Sequence, residues 1–100
     1  YFLSFYVGGM CAKDANFHND LFCRMGYAAE AEKIQQLFFE GKRDEAARVI
    51  PDELADNLSL VGSKARIKDR LQAWEESKVT TLLVATQDKE NLAEMAELIL

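Results

Sequence analysis

Apolar residues recur at helical spacing along most of the chain, and this pattern predicts a mainly helical fold. The clearest helix covers 63–77, where Ile67, Leu71 and Trp74 fall at i, i+4 and i+7 and Ser63 stands at the N-cap position. Helices are also predicted over five further ranges: 16–25, 28–40, 42–50, 51–58 and 88–100. Asn16 is the expected N-cap of the first of these helices, and Gly26 is the expected left-handed residue at its end.

The same spacing predicts which side chains face the core. Residues 1–7 are apolar or aromatic at six of seven positions and are expected to be buried on every side. The adjacent Phe38 and Phe39 fit a buried core better than a partner-binding surface. Three helices carry apolar stripes that should point inward: Phe17, Leu21, Phe22 and Met25; Ala31, Ile34, Leu37 and Phe38; and Leu92, Met95, Ala96 and Ile99.

Two short segments have the character of strands. Residues 79–85 are β-branched and almost continuously apolar, which is typical of a parallel strand covered on both faces. Together with 58–61 and the helix between them they could form one βαβ unit. Such a strand needs neighbours at both edges, and beyond 58–61 the rest of the sheet is not in this chain. We therefore expect part of a larger α/β enzyme, or pairing with another chain.

Composition narrows the possible partners. With 12 basic and 17 acidic residues, the 100-residue chain has a net charge of −5 and lacks the basic patch that nucleic acid requires. No apolar run approaches the roughly 20 residues that span a bilayer, so a cytoplasmic protein is expected. Cys11 and Cys23 are expected to be reduced thiols in that setting.

The turn at Gly62, Ser63 and Lys64 is the strongest candidate for a binding site. A strand-like stretch, a small-residue turn and a helix start together offer free N–H groups to an anion, and Lys64 adds a positive charge. The spacing is not that of a P-loop. Simple helix capping and a solvated charged face account for the same residues, so both interpretations stay open.

No catalytic or metal-binding residue can be assigned from the pattern. Cys11, His18 and Cys23, with Asp14 and Asp20, have the donor types of a metal site but lack the paired short spacings of zinc ligands. His18 is expected to be held by Asp14 rather than to act as a base, since no nucleophile can be named for it. Neither cysteine has an activating setting.

The two most specific stretches of the sequence are Tyr-Val-Gly-Gly-Met at 6–10 and Asn-Phe-His-Asn-Asp at 16–20. With other stretches, they resemble the C-terminal part of luciferase-like oxidoreductases, in particular an actinobacterial subgroup assigned to the deazaflavin coenzyme F-420. The resemblance extends over essentially the whole chain. The family usually has glycine where this chain has Cys11 and Lys78. The other matching stretches are 21–22, 24–27, 47–54, 60–63 and 79–84.

The resemblance implies a (β/α)8 TIM barrel that is incomplete in this chain. The chain would be a single segment: 1–58 a helical elaboration, and 59–100 the last helix-strand-helix unit, with one or two short parallel strands. In that arrangement 79–85 would be the last strand and 88–100 the closing helix.

It also implies a function for the complete enzyme. Family members transfer a hydride or oxygenate a substrate with a reduced deazaflavin or flavin, so the cofactor would be F-420 or, alternatively, FMN, with an anionic tail near Ser63. The isolated chain would be inactive, and its partner would be the remainder of the barrel or a second copy in a homo-oligomer. The alternative is a small non-enzymatic helical module that completes its sheet by self-association.

Overall fold

The structure is a computed structural model that describes residues 1–10 and 12–100. This part of the chain is mainly helical and contains no β-strand. Two segments form wider π-helical turns: π1 (Phe5–Gly9) and π2 (Cys23–Tyr27). The α-helices are α1 (Phe2–Ser4), α2 (Phe17–Phe22), α3 (Ala28–Phe39), α4 (Arg43–Val49), α5 (Asp52–Leu58), α6 (Lys64–Glu75) and α7 (Lys89–Ile99).

The chain divides into two compact units, Tyr1–Leu58 and Ser59–Leu100. The hydrophobic core lies in the first unit, where α3 packs against π1 and α4. The predicted inward stripe of α3 is confirmed for Ala31, Ile34 and Leu37, and Phe38 is half-buried against the core. The expected burial of Phe39 is wrong: its side chain is 57% exposed, because it points away from this stripe. The assignment of 1–58 as an elaboration and of 59–100 as a barrel unit stays a prediction. The core residues are Val7, Phe22, Ala31, Ile34, Leu37, Ala46 and Leu54.

Local capping explains where several helices begin and end. Asn16 accepts a hydrogen bond from the N–H of Asn19 at the start of α2, and Ser63 accepts one from the N–H of Arg66 at the start of α6. Both predicted N-caps are confirmed. Gly26 has φ 99°, so it ends the helical run from α2 with the left-handed residue that the sequence predicted.

The first helical segment differs from its prediction. Val7 is fully buried, but the side chains of Tyr1 and Phe2 are each 70% exposed, because a surface helix turns only one face to the core. Gly8 and Gly9 do more than end this segment. A Cβ atom would lie 2.8 Å from the Phe38 ring at Gly8 and 2.5 Å from it at Gly9. Glycine is therefore required here for close packing of π1 on α3.

The predicted core face of α2 is also wrong in three of its four residues. Phe22 is buried, whereas Phe17 is 65% exposed and Leu21 and Met25 are each 42% exposed. Helical spacing places residues 17, 21 and 25 on one stripe, and residue 22 lies about 100° away from residue 21. The core contacts the Phe22 side, so the stripe faces outward.

The strands predicted at 58–61 and 79–85 do not form in the described chain. Leu58 ends α5, and the other residues of both segments have no regular secondary structure. A strand must exchange backbone hydrogen bonds with a neighbour, and no segment among residues 1–10 and 12–100 forms such a neighbour for 79–85. Leu83, one position past the centre of 79–85, is 90% exposed.

The second unit buries little of its apolar surface. Leu71 is buried as predicted, but Trp74 of the same helix is 43% exposed. In α7, Leu92 and Ile99 are about half exposed and Ala96 is exposed, so three of the four positions predicted to point inward are not buried; Met95 is half-buried. Lys78 has an ordinary negative φ, because no non-glycine residue among those described has a positive φ. The substitution at Cys11 lies outside the described residues.

Candidate functional site

The predicted anion-binding turn begins with a backbone conformation that favours glycine. Gly62 has φ 117°, and a Cβ there would lie 3.0 Å from Cδ of Arg66. Ser63 is extended, and its hydroxyl oxygen accepts the Arg66 N–H at 3.3 Å. The first amides of α6, those of Lys64 and Ala65, have no partner within the helix. The turn thus presents N–H donors at the positive end of a 12-residue helix.

The positive charge of this turn is already paired within the second unit. The ammonium of Lys64 bonds to the carboxylate of Glu97 on α7. This hydrogen bond lowers the pKa of Glu97 and raises the pKa of Lys64. Arg66 donates from Nη1 to the carbonyl of Val61 at 3.0 Å. Backbone amides, a hydroxyl and an ammonium are groups that can bind a phosphate. A bound anion would, however, compete with Glu97 for Lys64.

The asparagine-rich motif at 16–19 forms a hydrogen-bond network in the first unit. Asn16 donates from Nδ2 to the carbonyl of Val7 at 2.9 Å and, more weakly, to that of Tyr6 at 3.3 Å. Asn19 donates from Nδ2 to the carbonyls of Val7 and Ala31, both at 3.0 Å. The last carbonyls of a helical turn lack partners within it, so the two asparagines cap the end of π1.

Sequence reasoning missed the role of Asn19. Its side chain joins π1 to α3 through the carbonyls of Val7 and Ala31, each twelve positions away. Its Oδ1 also accepts a hydrogen bond from the thiol of Cys23, whose sulfur lies 3.6 Å away. The repeated Asn at 16 and 19 is the signal that could have indicated a cap, but it does not say which carbonyls the second amide reaches.

His18 lies in an aromatic cluster rather than beside Asp14. Its ring centroid is 4.1 Å from that of Phe17 and 5.0 Å from that of Tyr6. Its Nδ1 is buried and has no hydrogen-bond partner. Asp14 lies in a turn before α2, so it is not one helical turn from His18, and the predicted contact between the two side chains does not form.

The residues weighed as metal ligands do not converge in the part of the chain that is described. No group of three or more His, Cys, Asp or Glu side chains there could hold a metal ion. Cys23 is a free thiol, in agreement with the expected reduced state. The expectation for Cys11 lies outside the described residues.

Comparison with known proteins identifies the family. The sequence model of luciferase-like monooxygenases matches residues 1–81, which include the asparagine network and the turn at Gly62, Ser63 and Lys64. The chain belongs to the luciferase-like monooxygenase family. This confirms the resemblance given by the motifs at 6–10 and 16–20.

A curated relative of this luciferase-like chain comes from Mycobacterium tuberculosis and carries the provisional name of a coenzyme F-420-dependent oxidoreductase. The two are 39% identical over 98 residues, which is 98% of this chain and 28% of the relative. The chain thus spans less than a third of the length of that relative. No solved structure matches it. Among the described residues, no helix combines the length and apolarity needed to cross a membrane.

Proposed function

We propose that this chain is the C-terminal part of an oxidoreductase that uses the deazaflavin F-420, or alternatively FMN, for hydride transfer or monooxygenation in the cytoplasm. The observation that carries the proposal is the 39% identity over 98 residues to the mycobacterial relative. Since the chain covers 28% of that relative, the 100 residues would be inactive alone.

The exposed apolar surface of the second unit supports this proposal. Leu83 is 90% exposed in a segment with strand-like sequence, and Leu92 of α7 is half exposed. A parallel strand of this composition is normally covered on both faces. In our proposal 79–85 becomes the last strand of a TIM barrel, and the remainder of the barrel or a second copy supplies its neighbours.

The turn at Gly62, Ser63 and Lys64 would hold an anionic part of the cofactor or substrate. The first-turn amides of α6 and the Ser63 hydroxyl would donate hydrogen bonds, and Lys64 would supply charge after leaving Glu97. The cofactor, when bound, accepts or donates the hydride. The chain's contribution would be to bind and orient its anionic end.

A chimaera tests the proposed function. This chain replaces the matching 98 residues of the mycobacterial relative, and binding of F-420 and of FMN is measured by absorbance and fluorescence titration. We expect the chimaera to bind F-420 and the isolated chain to bind neither cofactor. A chimaera that folds but binds neither cofactor would contradict the proposal, as would tight cofactor binding by the isolated chain.

Two matched variants show whether 79–85 enters a sheet. Leu83→Asp in the chimaera should prevent its folding, because a charge would enter a buried strand. The same change in the isolated chain should leave its circular dichroism unchanged, since Leu83 is exposed there. A chimaera that tolerates Leu83→Asp would favour the alternative of a non-enzymatic module.

An NMR titration tests anion binding at the turn of Gly62, Ser63 and Lys64 separately from cofactor binding. Inorganic phosphate is titrated into the isolated chain while the backbone amide resonances of residues 62–66 are followed by NMR. We expect saturable shifts that Ser63→Ala and Lys64→Gln weaken and that Lys42→Gln, at an exposed ion pair elsewhere, does not. Shifts of equal size in all variants would mean that the turn is only a helix cap.

A further inference from the structure

An ion pair in the second unit joins the start of one helix to the end of the next. Lys64 is the first residue of α6, and its ammonium bonds to the carboxylate of Glu97, which lies 33 positions later in the last turn of α7. The intervening residues 76–88 contain neither helix nor strand. The start of α6 therefore lies beside the end of α7.

Two carboxylates of α7 act on the Lys64 ammonium. The hydrogen bond to Glu97 is the main cause of the raised pKa of Lys64, and the negative charge of Glu94 raises that pKa further. Glu94 and Glu97 are three positions apart, so they lie on the same face of α7. The side chains of Lys64 and Glu97 are 42% and 68% exposed, so the pair can open without the unfolding of either helix.

Successive helices of a TIM barrel are arranged differently. Each helix there follows a parallel strand and returns along the outside, so all of the helices run in the same direction and start at the same end of the barrel. The start of α6 would then lie beside the start of α7. Glu97 comes eight residues after Lys89, which places it about 12 Å further along the helix axis. The ion pair and the barrel arrangement therefore exclude each other.

We propose that the Lys64–Glu97 ion pair is an autoinhibitory contact of the unassembled chain, and that it is broken when 59–100 enters the barrel. In the free chain Glu97 occupies the ammonium that the turn at Gly62, Ser63 and Lys64 would offer to an anion. A carboxylate has the same sign of charge as a phosphate, so it acts as an intramolecular competitor. The inference rests on the proposed function, because the barrel and the anion site both belong to it.

Cross-linking tests whether assembly breaks the pair. A carbodiimide joins an amine to a neighbouring carboxylate as an amide, and mass spectrometry of peptides identifies the product. We expect a Lys64–Glu97 cross-link in the isolated chain, and its yield should fall at least about tenfold in the chimaera with the mycobacterial relative, because the two residues lie at opposite ends of their helices there. The pair between Lys42 and Glu40 serves as the internal control. Lys64→Arg keeps the charge but has no primary amine, so it should remove the product.

The outcomes separate this inference from the proposed function. Absence of the cross-link in the isolated chain would overturn the inference alone. A chimaera that folds and binds F-420 but gives the cross-link in equal yield would do the same, while leaving the proposed function in place. A chimaera that does not fold, either as it stands or with Glu97→Gln, would contradict both.

Phosphate titration tests the inhibition itself. With the amide resonances of residues 62–66 followed by NMR, Glu97→Gln in the isolated chain should bind inorganic phosphate about threefold more tightly, because an exposed ion pair no longer holds Lys64. The matched control Glu90→Gln, at the other end of α7, removes the same charge and should leave the affinity unchanged. Equal effects of the two variants would show only a change in net charge and would overturn the inference. No phosphate binding in any variant would remove the anion site and the inhibition with it.

Discussion

Tyr1–Leu58 and Ser59–Leu100 both carry apolar residues at helical spacing, yet only the first unit buries them in a shared core. In the second unit, which is described throughout, Leu71 is the one buried side chain. The first unit closes its core with helices that are near one another in sequence. The second contains a strand-like segment, and a strand depends on partners that its own helices cannot replace. Apolar content alone therefore does not tell which part of a chain buries its surface.

Hydrogen exchange should show the largest difference between the units. Amides in the middle of α3 are hydrogen-bonded within a helix whose one face packs into the core, whereas residues 79–85 have no regular secondary structure. We expect exchange in 79–85 to be faster than in α3 by a factor of about a thousand or more. Mass spectrometry of peptides from both segments measures these exchange rates. Similar protection of both would mean that 79–85 is paired in solution.

Truncation of a core side chain should have the next largest effect, in this case on the free energy of unfolding. Ile34 is 1% exposed, so Ile34→Ala should lower the free energy of unfolding by about 2–5 kcal/mol. Urea denaturation followed by circular dichroism measures the change. The matched variant Leu92→Ala in α7, at a half-exposed site, should change it by less than about 0.5 kcal/mol. Equal losses would indicate a second core around α7.

Removal of the Asn19 side-chain amide should lower the free energy of unfolding somewhat less than Ile34→Ala does. Asn19→Ala leaves the carbonyls of Val7 and Ala31 without their side-chain donor, and we expect a loss of about 1–3 kcal/mol. Urea denaturation followed by circular dichroism measures this loss as well. Asn91→Ala on exposed α7 is the control and should be nearly neutral. A neutral Asn19→Ala would show that the network does not stabilise π1.

The left-handed glycine at the end of π2 should have a smaller effect. No atom lies within 4 Å of a Cβ at Gly26, so Gly26→Ala tests backbone strain alone and should cost about 1 kcal/mol. Gly62→Ala introduces the same kind of backbone strain in the second unit, together with a 3.0 Å contact between the new Cβ and Cδ of Arg66. It should leave the unfolding transition of the first unit unchanged; a shift of that transition would show that the two units unfold together.

The ion pair between Lys64 and Glu97 should contribute least, because both groups are exposed. The pKa of Glu97 is lowered, so the stabilisation is present above its ordinary value of 4.5 and is lost as pH falls through the lowered pKa. The pKa of Lys64 is raised, so the stabilisation is lost again as pH rises through that raised value. In Lys64→Gln the pKa of Glu97, measured by NMR titration, should return toward 4.5. An unchanged pKa would show that the pair does not persist in solution.

The candidate binding turn shows how far local sequence can predict a site. The small residues at Gly62 and Ser63 predicted a turn and a cap, and both are present because they depend on neighbouring backbone atoms. The partner of Lys64 could not be predicted, since Glu97 is 33 positions away. For the same reason the contacts of Asn19 with π1 and α3 were missed. The Asp14 prediction failed because it assumed a helix that begins only at Phe17.

The amino-acid sequence by itself determined the helices, their caps at Asn16 and Ser63, and the left-handed end at Gly26, because each depends on residues within about one helical turn. Family membership also follows from sequence. Only the tertiary structure decided that the α2 stripe faces outward and that 79–85 is not a strand in this chain. Both outcomes depend on what packs against a segment, and periodicity specifies a face without specifying its partner.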